Sequence, residues 1–377
     1  MAPDGIERVV LSINGQVPGP VIEANWGDTV VVRLTNKLQN NGTSFHFHGI
    51  RQNHTNLDDG VPSITQCPIA PGESMNYTWR ATNYGSSWYH SHFAIQAWEG
   101  VYGPIIIHGP HSAEYDVDAG AIMLGDWSHA TVDSMYDAAQ AFPSGGPRLL
   151  DNGLINGMNT WTLADGTTVG KRFELPTEFE QGKKYLLRVT NVAMQSTYKF
   201  YLDGHKFTVI SNDFVPIVPY ETDVLDINIG QRYNIIVEAD QEPATYWMRA
   251  DNQQACAGTI QWNDIKAIFK YKGVDDVTPT SSPKNYTAEC IDEPFEKLVP
   301  VVPLNVGTEN QNEDLTVTVG PNGDSTLFKW YISGTSFMSF WGEPTLLGIQ
   351  ANDTAPSFSG DLLIPAPNKG DWVYMVI

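Results

Sequence analysis

Two short runs, "TSFHFHGIRQ" from Thr43 to Gln52 and "SSWYHSHFAIQ" from Ser86 to Gln96, each hold two histidines one residue apart. With nine histidines in 377 residues, chance places roughly 0.2 such pairs in the chain. In a strand, side chains two apart share a face at about 6.5 to 7 Å. His46 with His48, and His90 with His92, are therefore expected to project as two imidazole forks from a β fold. If those strands pack together, four neutral imidazoles converge on a space that suits Cu, Zn, Fe or Ni and does not suit Mg or Ca. Spacing leaves the metal open. A lone His-x-His is more often two packed rings with one hydrogen bond each, but two forks in one sandwich reverse that balance. Phe45, Phe47, Trp88, Tyr89 and Phe93 interleave with them and read equally as ordinary core or as an apolar shell that keeps water from a metal.

The surrounding text is that of an all-β protein. Gly (33) and Pro (24) punctuate short runs rich in Val, Ile, Thr and aromatic residues, and no long helix-period stretch stands out. "RVVLSING", "TVVVRLTN", "SFHFHGI", "MNYTWRAT", "SSWYHSH" and "GPIIIHG" form a first sandwich over residues 1–112. "AIMLGDWSH", "KYLLRVTNV", "YKFYLDGHKFTVI", "VLDINIGQRYNIIVEAD" and "ATYWMRAD" form a second over residues 113–272. Residues 273–303, rich in Pro, Ser, Thr and acid, read as a linker. "DLTVTVG", "LFKWYISG", "SGDLLIPAP" and "DWVYMVI" over residues 304–377 are too few strands to close a sandwich, so this third unit is expected to be incomplete.

A net charge of −21 opposes a nucleic-acid partner, which needs a basic face. No apolar run reaches the length of a membrane span, and the opening "MAPDGIERVV" has no signal-peptide core, so either a signal has been removed or the numbering starts inside a larger protein. Cys67, Cys256 and Cys290 make an odd count that leaves one thiol without a partner. Sequons at Asn41, Asn53, Asn76, Asn285 and Asn352 suggest a secreted glycoprotein only weakly, since about three arise by chance. The isolated His54, His108, His111, His129 and His205 are expected to be solvated or singly bonded.

Both forks lie in longer signatures. "FHFHGIRQNHTNLDDGVPSITQCPIAPG" and "YGSSWYHSHFAIQAWEGVYGPIIIHGP" resemble the first two copper-binding signatures of multicopper oxidases, specifically fungal laccases of the ascomycete type. "INGQVPGPVIEANWGDTVVV", "GDWSH" and "GQRYNIIVEAD" extend the resemblance along essentially the whole chain. It implies tandem cupredoxin-like Greek-key sandwiches in a protein that is a monomer at full length, is secreted and acts on lignin-type compounds. It also implies one-electron oxidation of phenols or aromatic amines at a blue copper, coupled to four-electron reduction of O2 to water at a trinuclear copper cluster. On this resemblance His46 is a type 2 copper ligand, and His48, His90 and His92 are type 3 ligands. Asp59 in "DDG" matches an acid that assists protonation of reduced oxygen, and reads equally as a turn residue before Gly60. Gln195 stands where a carboxylate often accepts the phenolic proton, and Pro147, Phe340 and Trp341 are candidates for the substrate pocket or for core.

The remaining family signatures, H-P-x-H-L-H-G and H-C-H-x-x-x-H, are not in this text, and no histidine follows His205. A blue copper site needs two histidines and a cysteine, so the type 1 site is absent from this sequence and half of the trinuclear ligands are missing. The resemblance thus implies a laccase truncated at both ends and inactive alone. Cys256 would pair with Cys290, while Cys67 would lose its usual C-terminal partner. A non-catalytic copper-binding sandwich is the alternative from another class; a ferroxidase or ascorbate oxidase would keep the fold and change the electron donor.

Overall fold

The computed structural model describes residues 1–308, 311–351 and 371–377; Asn352 and the "SGDLLIPAP" segment lie outside the described residues. The fold is nearly all β, as the alternation of apolar and turn residues implies. In the first sandwich, β1 (Ile22–Asn25), β6 (Tyr102–His108), β5 (Gly85–His90) and β3 (His46–Phe47) form one sheet in that order. β2 (Thr29–Thr35) and β4 (Ser74–Arg80) form the facing sheet. The chain crosses between the sheets at nearly every connection, as a Greek key requires. Phe47, Tyr77, Trp79, Tyr89, Ile105 and Ile107 fill the space between them.

The second sandwich is larger. β14 (Val215–Thr222), β13 (Phe207–Asn212), β16 (Arg232–Glu238), β11 (Lys184–Asn191), β7 (Val117–Trp127) and β8 (Asn152–Ile155) make a six-stranded sheet. It packs on β15 (Leu225–Ile227), β12 (Tyr198–Leu202), β17 (Thr245–Asn252) and β18 (Lys266–Lys270). A small hairpin, β9 (Thr160–Thr162) with β10 (Thr168–Gly170), stands apart. β11 shows why its sequence reads as a continuous apolar run. Tyr185, Leu187 and Val189 enter the sandwich core, while Leu186 and Arg188 point the other way. There Arg188 reaches Ser86 of β5 at 3.0 Å and holds Asp118 at 2.7 Å, so the first sandwich covers the outer face of the second.

A nine-residue helix, α1 (Val132–Gln140), follows β7; its N-terminus is capped by the Thr131 hydroxyl, which accepts from the Ser134 N–H. Val132, Met135, Tyr136 and Ala139 fall at the i, i+3, i+4, i+7 spacing of one helix face, a period confined to a single short segment. Residues 273–303 do not float between units. Cys290 is bonded to Cys256, Tyr286 and Tyr201 both donate to Asp251 at 2.7 Å, and Ser281 donates to Asp203 at 2.8 Å. Glu293 accepts from Tyr220 and from the Asp226 N–H, and Val218 N–H bonds to Val299 O. The segment is a strap bound to the second sandwich, because its polar side chains meet partners that composition cannot reveal. Beyond it, β19 (Gln311–Asp314) pairs with β22 (Val373–Val376) and β20 (Val317–Pro321) with β21 (Phe328–Ile332), two separate two-stranded sheets, and the short helix Thr345–Gln350 lies between β21 and β22 in the chain. No further sheet closes over them among the described residues.

Candidate metal centre

The two histidine forks meet because their strands pair in register. His46 lies opposite His90 and Phe47 opposite Tyr89 on antiparallel β3 and β5. Phe47 and Tyr89 point into the core, so the histidines share the other face. Ring centroids are 5.3 Å apart for His46 and His90, 5.8 Å for His46 and His48, and 5.7 Å for His48 and His90. His92 stands just past the end of β5 on the solvent-facing rim, 5.5 Å from His46 and 5.9 Å from His90. One ligand nitrogen from each of His46, His48 and His90 lies within 4.8 Å of the others.

The tautomers follow from the neighbours. His46 Nδ1 is 2.8 Å from the Asp59 carbonyl and His90 Nδ1 is 3.0 Å from the Ser91 carbonyl. A carbonyl only accepts, so both Nδ1 atoms carry the proton and each Nε2 presents its lone pair to the space between the rings. His48 offers Nδ1, 3.4 Å from His90 Nε2. Two nitrogens bound tetrahedrally at about 2.0 Å to one ion are about 3.3 Å apart, so this separation fits a shared cation. Burial, aided by Arg232, pushes the His48 pKa down to about 3. Burial and then His46 place His90 well below the usual histidine value and lower His92 as well. Imidazoles held neutral in this way keep their lone pairs for a metal. The donor set is nitrogen without carboxylate oxygen, which fits copper and its neighbours in the transition series.

Backbone geometry places the Asp59 loop. At Gly60, φ is +79° and a Cβ would lie 1.6 Å from the Phe45 carbonyl oxygen, so only glycine lets the loop approach the fork strand. Asp59 thus contributes its carbonyl to His46, while its carboxylate Oδ1 stands 3.4 Å from the same ring nitrogen. A buried amide network sets the loop after β5: Gln96 accepts from Thr43 at 2.9 Å and Ser91 at 2.8 Å, and donates to the Gly42 carbonyl. Sequence reading passes over Gln96, since a lone glutamine carries no spacing signal.

The second sandwich also reaches the site. Arg232 donates to the Ser86 carbonyl at 3.3 Å and pairs with Asp213 at 2.9 Å, and Gly230 backs the His48 ring.

The pocket candidates divide into two groups with different partners. Gln195 donates to the Arg148 carbonyl at 2.6 Å, next to the exposed Pro147, and its N–H bonds to Asp126. Trp341 packs on Phe93 at 4.8 Å, beside the fork, and Phe340 is exposed. None of the four lines the apolar groove of about 860 Å³ between α1 and β21, whose walls include Tyr136, Gln140, Phe328, Trp330 and Phe337. Cys256 and Cys290 form a disulfide and Cys67 is free and exposed. Asn41, Asn53, Asn76 and Asn285 are all exposed. Of the isolated histidines, His205 departs from expectation: it is fully buried and bonded at both nitrogens, to the Asp203 carbonyl and the Tyr271 hydroxyl. His129 is held between Asp4 at 2.8 Å and Asp151 at 3.7 Å.

Comparison with known proteins agrees with the histidine geometry. Two profiles described as multicopper oxidase match residues 1–112 and 118–273. Oxidoreductase OpS5 of Beauveria bassiana is 45% identical, and Laccase-2 of Botryotinia fuckeliana 43% identical, each alignment covering the whole of this chain. The chain spans 64% of the length of each of these relatives. The crystal structure of a laccase from Botrytis aclada superposes with a TM-score of 0.88 at 42% identity, covering 97% of this chain and 66% of that one. With paired imidazole forks on the first of two cupredoxin-like sandwiches and family matches over residues 1–112 and 118–273, this chain belongs to the multicopper oxidase family.

Proposed function

We propose that this chain carries the N-terminal half of the oxygen-reducing copper site of a secreted laccase-type oxidase, which takes single electrons from phenols or aromatic amines. The observation that carries the reading is the convergence of His46, His48 and His90 nitrogens within 4.8 Å, with the Nδ1 protons of His46 and His90 committed to carbonyls. Copper bound there would supply reversible one-electron chemistry and a place for O2. The chain's own part is to hold imidazoles neutral and aimed, and to shield them with Trp88 and the second sandwich. Asp59, whose carboxylate faces His46 from the partly open side, is placed to exchange protons with solvent. Gln195, an amide where a proton acceptor would be useful, can orient a phenol by hydrogen bonding but cannot take its proton at neutral pH.

Copper titration tests this. Wild-type chain is expected to take up copper that the His46→Ala/His90→Ala double variant does not. Equal uptake by the two would refute the site. The 377-residue chain is also expected to show no copper-dependent phenol oxidation, because it has no paired cysteine and histidines for a blue copper. Measurable turnover dependent on added copper would refute that part.

A further inference from the structure

Trp88 occupies the fourth corner of a square whose other corners are histidines. His46 faces His90 across β3 and β5, and the His48 N–H bonds to the Trp88 carbonyl at 3.0 Å, so the next cross-strand pair is His48 with Trp88. All four side chains therefore rise from one sheet face. The indole lies nearly parallel to both adjacent imidazoles, 4.1 Å from His90 at 29° and 5.2 Å from His48 at 28°. Behind it stand Tyr102 and Val17 of the first sandwich with Met123 and Val192 of the second. On His48 itself the second sandwich packs closely: a Cβ on Gly230 would come 3.2 Å from His48 Cε1, a tight contact that the ring could relieve only by shifting.

Trp88 is 3% exposed, and its indole N–H has no hydrogen-bond partner among the described residues. An unpaired buried donor costs stability that an apolar ring would not. What the indole provides in return is breadth, since it stacks on two imidazoles at once.

We propose that Trp88 is the positioning residue of the histidine site. Packed against one side of both His48 and His90 and backed by the second sandwich, it holds their facing nitrogens at the separation one cation can bridge. The inference rests on the copper reading above, and the experiment separates the two. Cu(I) affinity of the 377-residue chain is measured in competition with bicinchoninate, and the ring nitrogens of the copper-free protein are observed by 15N NMR. Trp88→Leu keeps an apolar filling but removes the ring; it is expected to weaken Cu(I) binding roughly tenfold or more and to shift the His48 and His90 nitrogen signals. Trp88→Phe keeps one stacking face and is expected to stay within about threefold of wild type. Trp88→Leu binding as tightly as wild type, with unmoved ring signals, overturns the positioning role. Should Trp88→Leu fail to fold, Val192→Ala loosens the wall behind the indole from the second sandwich; affinity and ring signals are expected to shift in the same direction, and their constancy overturns the proposal. Equal affinity in wild type and His46→Ala/His90→Ala would instead remove the copper reading and the ground of this inference with it.

Discussion

β11 of the second sandwich, "KYLLRVTN", and β21 of the C-terminal region, "FKWYI", read alike as strands, yet their fates differ. Every β11 residue after Lys184 is buried, whereas Trp330 in β21 is 70% exposed and Ile332 37% exposed. β11 lies between β16 and β7, with a second sheet on one face and the first sandwich on the other. Among the described residues β21 has one partner strand, β20. Strand formation is thus a local matter of β-branched and aromatic side chains, while stability comes from the layers that cover them.

The sharpest test of that contrast is a pair of truncations. Phe200→Ala, at a fully buried ring in the second sandwich's core, is expected to cost about 3 to 5 kcal/mol. Trp330→Ala removes a larger side chain and is expected to cost less than about 0.5 kcal/mol. Urea unfolding followed by far-UV circular dichroism reads both. Comparable losses would break the comparison and mean that the C-terminal sheets are covered in solution.

What was legible in the sequence follows the same division. The forks were legible because strand geometry has period two, so His46 and His48 must share a face wherever the strand lies. Their convergence was not, since the register of His46 with His90 is fixed by loops between β3 and β5, including the Gly60 approach to Phe45. Local composition likewise marked residues 273–303 as non-strand. It could not show that Tyr286, Ser281 and Glu293 would each find a buried carboxylate, hydroxyl or N–H on the second sandwich. His205 escapes a local reading for the same reason: Asp203 is only two residues away, but the second partner, Tyr271, lies 66 residues further along the chain. Trp88 was visible as an aromatic neighbour, but not as the residue opposite His48.

The strap supplies an intermediate case between the covered core and the exposed sheets. Its disulfide closes a loop across 34 residues, and removing it in Cys256→Ser/Cys290→Ser is expected to cost about 2 to 4 kcal/mol. Hydrogen exchange should then accelerate in residues 281–293 and leave β11 unchanged. Faster exchange in β11 would mean that strap and core unfold as one unit, erasing the distinction.

A smaller effect tests the polar contacts beneath the strap. Asp251 Oδ2 accepts from Tyr201 and Tyr286, while its Oδ1 has no hydrogen-bond partner among the described residues. Burial raises the Asp251 pKa above the ordinary carboxylate value, outweighing the two hydroxyls and the nearby Arg249 and Lys266. A raised pKa means that the folded protein binds more protons than the unfolded chain between the two values. Stability from this group is therefore present below the unfolded pKa and lost as pH rises through the folded one. Glu293 and Asp226, also raised by burial, contribute in the same direction, so the wild type keeps part of its slope when Asp251 alone is changed. Asp251→Asn cannot titrate. Its melting temperature should fall below that of the wild type at acid pH, and the gap should narrow as pH rises toward neutrality. A gap that widens instead would show that the ionised carboxylate is the form the strap holds, with the tyrosine hydroxyls and Arg249 outweighing the loss of hydration.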